Sequence, residues 1–195
     1  MKIIVGLTGP TGAGKSTVCR VAEDRGYSVI DCDKLAREVT EQKDVLDALC
    51  NAFGNDILDC NKRLNRRALA QKAFSSNENT ELLNRTILPY IAAVIKNRIN
   101  ESKTPKILLD APTLFESGTN ALCDFTVAVL SSPELRLLRI ISRDNITNEQ
   151  ARLRMSAGKS DDYYKNRVDR ILYNDTTEAE LKNNFNKILT ELEEM

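Results

Sequence analysis

Apolar positions fall into two patterns along the chain. Short runs, several rich in β-branched residues, occupy positions 2–7, 27–30, 106–109 and 125–130, and a shorter fifth run covers 171–173. Continuous apolar runs of this length suit strands buried on both faces of a parallel sheet. The intervening segments carry helical spacing instead. Ile87, Ile91, Ile95 and Ile99 recur every four residues, and Leu181, Phe185, Ile188, Leu189 and Leu192 form a stripe at the 3.6-residue period. Strand runs alternating with crossover-length helices predict an α/β fold. The stripes read as core packing and carry no chemistry.

Several helix starts are legible. Ser132-Pro133-Glu134 offers a cap residue, a first-turn proline and an acid in the favoured order. Thr147 with Gln150, and Thr177 with Glu180, fit the capping-box spacing. The gap between the second and third strands, 34–105, is far longer than one crossover needs and looks mostly helical, which predicts an inserted helical subdomain. Positions 75–79 (Ser-Ser-Asn-Glu-Asn) predict a surface turn. No internal repeat or low-complexity tract interrupts the pattern.

Composition narrows the function classes. At 195 residues the chain is long enough to bury roughly 70% of its unfolded surface. Lysine and arginine total 28, aspartate and glutamate 28, so there is no basic excess for a nucleic-acid backbone or a membrane surface. The N-terminal run is too short for a signal peptide, and nothing approaches the ~18 apolar residues of a span. A soluble, cytoplasmic protein is expected, with no nucleic-acid or membrane partner and its oligomeric state open. Cys19, Cys32, Cys50, Cys60 and Cys123 form no CxxC pair and there is no histidine, so a structural zinc site is not expected and the thiols read as reduced, small core residues. The missing histidine also points to a carboxylate as any proton acceptor.

Gly9-Pro10-Thr11-Gly12-Ala13-Gly14-Lys15-Ser16-Thr17 matches GxxxxGK[ST] in full, with a strand before it and a helical pattern after it. Glycines let such a loop wrap tightly and turn backbone N–H groups toward a β-phosphate, and the following helix adds its positive end. Gly9, Gly12, Ala13, Gly14, Lys15, Ser16 and Thr17 are therefore the candidate phosphate-binding set. Lys15 would reach the β- and γ-oxygens, and the Ser16 hydroxyl would ligate Mg²⁺ accompanying the nucleotide.

Beyond the second strand stand Asp31 and Asp33, in the segment Val29-Ile30-Asp31-Cys32-Asp33-Lys34-Leu35-Ala36-Arg37. Ligands of parallel sheets bind beyond the carboxyl ends of strands. Alternation along an extended chain would point both carboxylates to the same side, where one could take a proton from an acceptor hydroxyl. A surface acidic turn is the plainer reading. Arg139 and Arg143 stand four apart, so both guanidinium groups could reach one ligand face, or both could be solvated charges. Asp110 ends the third strand, placed either for Mg²⁺ and its waters or to cap the next turn.

Taken together these segments resemble the dephospho-coenzyme A kinase family. The likeness runs through Gly6-Leu7-Thr8-Gly9, Asp31 to Arg37, Arg66-Arg67-Ala68-Leu69 and Asp110-Ala111-Pro112-Thr113-Leu114-Phe115-Glu116. It continues at Leu138-Arg139, Ser142-Arg143-Asp144, Thr147, Val168-Asp169 and Asn174, covering positions 3–175 in order. The resemblance implies one P-loop kinase domain over 1–195, a three-layer sandwich around a five-stranded parallel sheet. A helical acceptor-binding insertion (34–105) and a small lid (139–165) would belong to it. It implies ATP-dependent phosphorylation of the ribose 3′-hydroxyl of dephospho-coenzyme A, the last step of coenzyme A biosynthesis. Asp33 would be base or orienter, with Thr8, Asp31, Arg37 and Glu116 on the acceptor side. Arg139 and Arg143 would serve the ATP phosphates, Arg143 stabilising the transferred group, and Asn174 would lie near the adenine.

Three departures from the family pattern stand out. Leu88-Pro89 replaces a frequent His-Pro, Ser156-Ala157-Gly158 stands where a lid glutamine is common, and Ile171-Leu172-Tyr173-Asn174 keeps only the asparagine of its ending. Two other functions compete. A kinase for another hydroxyl or phosphate acceptor would use the same loop. A GTP-dependent switch would need an N-K-x-D segment, and Asn61-Lys62-Arg63-Leu64 lacks the aspartate.

Overall fold

A computed structural model describes residues 2–194. The chain divides into two compact units, Met1–Ile30 with Ser102–Met195, and Asp31–Glu101. Strands β1 (Ile3–Thr8), β2 (Ser28–Asp31), β3 (Lys106–Asp110), β4 (Phe125–Leu130) and β5 (Arg170–Tyr173) form one sheet in the order β2-β3-β1-β4-β5. β1 runs parallel to β3 and β4, and β4 parallel to β5. The register sets Leu7 against Asp110 and Thr8 against Ala128, which brings the carboxyl ends of the central strands to one edge.

The first unit also holds α1 (Lys15–Asp24), α6 (Pro133–Asp144), α7 (Asn148–Ser156), α8 (Asp161–Lys165) and α9 (Glu178–Glu193). Its core shows why the central strands are mostly apolar. Val127 and Val129 of β4 pack with Val5, Leu7, Val18, Ala22, Phe185 and Leu189, so α1 and α9 cover that face. Ala128 and Leu130, pointing the other way, pack with Tyr164 of α8. A strand buried on both sides cannot alternate apolar with polar.

The second unit is helical: α2 (Cys32–Val39), α3 (Lys43–Phe53), α4 (Arg66–Ala73) and the 25-residue α5 (Asn77–Glu101). α2, α3 and α4 each pack on α5, which buries Leu83, Ile91, Ile95 and Ile99. Arg66 closes the end of α2, donating to Thr40 Oγ1 at 3.0 Å and to the Arg37 carbonyl at 3.1 Å. No helix among the described residues is long and apolar enough to cross a membrane.

Three local expectations are corrected. Positions 75–79 are only half a turn: α5 begins at Asn77, and Ser76 Oγ accepts from the Asn79 N–H at 3.2 Å, so the polar cluster includes a helix start. Ser132 precedes α6, yet among the described residues its side chain makes no capping bond; its own N–H donates to Asp175 at 2.6 Å. The segment after β2 is not extended, because α2 opens at Cys32. The other start signals hold: Thr147 and Gln150 cap each other at 3.2 and 3.0 Å, and Thr177 accepts from the Glu180 N–H.

Candidate active site

β1 delivers the chain into the glycine-rich loop at Thr8, which is fully buried and donates its hydroxyl to the Pro112 carbonyl at 3.2 Å. Gly9 follows at φ 138°, where an added Cβ would lie 2.3 Å from the Val129 carbonyl oxygen. The close approach of loop to β4 is open to glycine alone. Gly14 ends the loop at φ 105°, and a Cβ there would meet Asn174 Nδ2 at 2.2 Å.

Every carbonyl from Gly9 to Gly14 is taken by a protein donor. Lys15 Nζ donates to Gly9 at 3.0 Å and the Ala13 N–H to Pro10 at 3.2 Å. Arg136 Nε donates to Thr11 at 3.1 Å and Arg139 to Gly12 at 3.4 Å. Asn174 Nδ2 donates to Ala13 at 2.7 Å and the Thr17 N–H to Gly14 at 3.1 Å. A trans peptide holds its C=O and the next N–H in opposite directions. Fixing the Thr11 and Ala13 carbonyls outward therefore turns the Gly12 and Gly14 N–H groups to the other side of the loop. Successive N–H groups so aimed form an anion-binding concavity. α1 adds to it: its N-cap, Gly14, offers no side chain, and its first turn holds no carboxylate. The positive helix end is left for a ligand to satisfy.

Around the loop, Ser16 is exposed in the first turn of α1, and the Thr17 hydroxyl accepts from Arg20 at 3.2 Å. Asp110, at the end of β3, lies beside Cys19. Burial, then the charge and hydrogen bond of Asp110, push that thiol well above its ordinary range, while Lys15 opposes the shift. Asp110, Cys19 and Lys15 thus share one neighbourhood, and the thiol there stays protonated.

Arg139 and Arg143 both lie on α6 but do not share a target. Arg139 donates to Gly12, to Ser131 Oγ at 3.0 Å and to the Asn174 carbonyl at 2.9 Å. Arg143 is exposed and grips Asp144 through two bonds of 2.7 and 2.9 Å. Asp144 also receives Arg154 of α7, and its carboxyl is held below the usual range, first by the Arg143 hydrogen bond. Asn174 is buried, its amide against the loop.

Asp31 and Asp33 take different places at the start of α2. Asp31 is the N-cap of α2, accepting from the Lys34 N–H at 2.8 Å. Asp33 is exposed in the first turn, with exposed Arg37 four residues on, on the same helix face. Glu116, exposed in the segment after β3, accepts from the Tyr163 hydroxyl; burial, then the Glu116 charge, raise that hydroxyl's pKa.

A family model described as dephospho-CoA kinase matches residues 3–180. The chain belongs to the dephospho-CoA kinase family. It is 36% identical over 180 residues to the dephospho-CoA kinase of Fusobacterium nucleatum subsp. nucleatum, covering 92% of this chain and 93% of the relative. The crystal structure of TT1252 from Thermus thermophilus superposes with a TM-score of 0.83 at 30% identity, covering 98% of each chain. A dephospho-CoA kinase from Campylobacter jejuni, at 22% identity and TM-score 0.60, shares the fold over 98% of this chain.

In this chain, the departures from the family pattern have structural settings. Leu88 and Pro89 lie inside α5, with Pro89 exposed. Ser156-Ala157-Gly158 ends α7, the Ser156 hydroxyl and the Ala157 N–H both returning to the Leu153 carbonyl. One participant escaped the sequence reading. Arg136, 5% exposed, donates to the loop at Thr11, and Asp161 of α8 faces it at 3.4 Å. Its position three residues before Arg139, on the same face of α6, is the signal that could have found it.

Proposed function

We propose that this chain transfers the γ-phosphoryl group of Mg²⁺-ATP to the ribose 3′-hydroxyl of dephospho-coenzyme A. The observation that carries the donor half is the loop whose six carbonyls are all turned onto protein donors, leaving an N–H-lined concavity at the start of α1. Family membership carries the acceptor. The 3′-oxygen attacks the γ-phosphorus in line as the bond to the β,γ-bridging oxygen breaks. The hydroxyl proton passes to Asp33, and ADP leaves. Such transfer is governed by positioning and charge neutralisation.

The residues divide that work. Gly9, Gly12, Ala13, Gly14 and Thr17 shape the cradle, with Arg139 and Asn174 holding it. Lys15 turns from the Gly9 carbonyl to the β- and γ-oxygens. Asp31, occupied as a cap, supports α2, whose exposed Asp33 and Arg37 serve the acceptor together with Glu116. Thr8 fixes the segment from Asp110 toward Glu116. Arg143, released from Asp144 as the 139–165 lid closes, faces the transferred group. Ser16 and Asp110 supply one hydroxyl and one carboxylate, and no group of three or more acidic or cysteine side chains that could hold a metal occurs among the described residues. That donor set suits a Mg²⁺ ion arriving with the nucleotide, since Mg²⁺ uses one or two protein oxygens together with substrate phosphates and water. There the ion would neutralise charge on the β- and γ-phosphates.

ADP release measured with and without dephospho-coenzyme A tests the reading. Release that depends on the acceptor is expected; equal rates would count against the acceptor assignment.

A further inference from the structure

Arg136 is among the most deeply buried charged side chains of the protein, and nothing in the transfer chemistry uses it. Its relative exposure is 5%, and a buried charge is costly unless it is paired and hydrogen-bonded. Its guanidinium meets two partners. Nε donates to the Thr11 carbonyl at 3.1 Å, and a terminal nitrogen meets Asp161 Oδ1 at 3.4 Å. Its backbone also walls the loop: a Cβ on Gly12 would lie 2.8 Å from the Arg136 carbonyl oxygen.

We infer that Arg136 is a positioning residue for the donor phosphates, and that Asp161 sets it. The peptide between Thr11 and Gly12 is the unit whose N–H faces the concavity. Arg136 holds the other end of that unit, and with Nε on the carbonyl the peptide cannot rotate to withdraw the N–H. Asp161 meets a terminal nitrogen of the same guanidinium and opens α8, the last helix of the 139–165 segment. Displacement of α8 would loosen Arg136, and through it the Gly12 N–H. The cradle is thereby coupled to a helix outside it by one side chain.

This inference rests on the loop being a phosphate cradle, so the experiment separates the two. Calorimetry would compare ADP and AMP binding to the parent, Arg136→Lys, Arg136→Met, Asp161→Asn and the Met/Asn double variant. The parent should favour ADP, whose β-phosphate AMP lacks; no such preference would overturn the cradle reading, and this inference with it. In Arg136→Met the ADP affinity should fall ~10-fold, the scale of one lost charge-assisted hydrogen bond, with AMP nearly unchanged. Arg136→Lys should recover part of the loss. Asp161→Asn, at a side chain one-third exposed, should lower ADP affinity less, and its effect should vanish in the Met background. Equal losses for ADP and AMP, unchanged ADP binding in both single variants, or additive effects in the double variant would each overturn the assignment.

Discussion

Asn174 Nδ2 donates to the carbonyl of Ala13 at 2.7 Å, at the place where Gly14 leaves no room for a side chain. The asparagine stands at the end of β5 and the glycine begins α1, so this bond ties the edge of the sheet to the mouth of the cradle. It gives Asn174 a structural task in place of a simple polar turn.

Substitution on either side of that contact should weaken nucleotide binding. Gly14→Ala forces a Cβ into the amide and strains a backbone at φ 105°, and ADP binding should fall below detection in a calorimetric titration while the fold is retained by circular dichroism. Asn174→Ala leaves the buried Ala13 carbonyl without its donor, and stability should drop by about 1–3 kcal/mol in urea unfolding.

Asp31 and Asp33 should separate by assay. Asp33→Asn should lower kcat by ~10²-fold or more with little change in the KM for ATP, as expected for a lost base or orienter. Asp31→Ala removes the cap of α2 and should cost about 1 kcal/mol of stability, with a smaller effect on kcat. Steady-state kinetics and urea midpoints on the same preparations distinguish the two; the reverse order of kcat losses would move the proton transfer to Asp31.

Alkaline stability carries a signature of two buried phenols. Burial first, then the Glu193 charge, push Tyr27 up to about 12, and burial with the Glu116 charge does the same for Tyr164. The unfolded chain releases these protons near 10.0 and the folded chain only near 12, so the contribution is complete below 10.0 and lost as pH rises toward 12. Urea midpoints of Tyr27→Phe and Tyr164→Phe should fall less steeply with pH across that window than those of the parent.

What the chain showed before its structure was whatever local order dictates. All five strands appear within a residue of their apolar runs. The central strands β1, β3 and β4 are mostly apolar because both faces are buried. The shorter edge strands β2 and β5 keep an apolar centre between polar ends. The loop is equally local: its glycines are needed by a backbone that turns within six residues. Asp31 and Asp33 were harder, since Asp-Cys-Asp can extend a strand or cap a helix, and the choice depends on Leu35 and Val39 finding a core beyond them. Arg136 was hidden for a related reason. Its partner Thr11 lies 125 positions away, and an arginine on a helix is usually solvated. The Arg139–Asn174 bond likewise joins segments that only the sheet order brings together.

The most direct test of the central claim follows the phosphoryl group itself. With ATP labelled in the γ-phosphate, the account predicts that label appears in coenzyme A and is released by a 3′-specific phosphatase, at a rate matching ADP formation. Label found only as inorganic phosphate, or in an acceptor product resistant to 3′-cleavage, would contradict it.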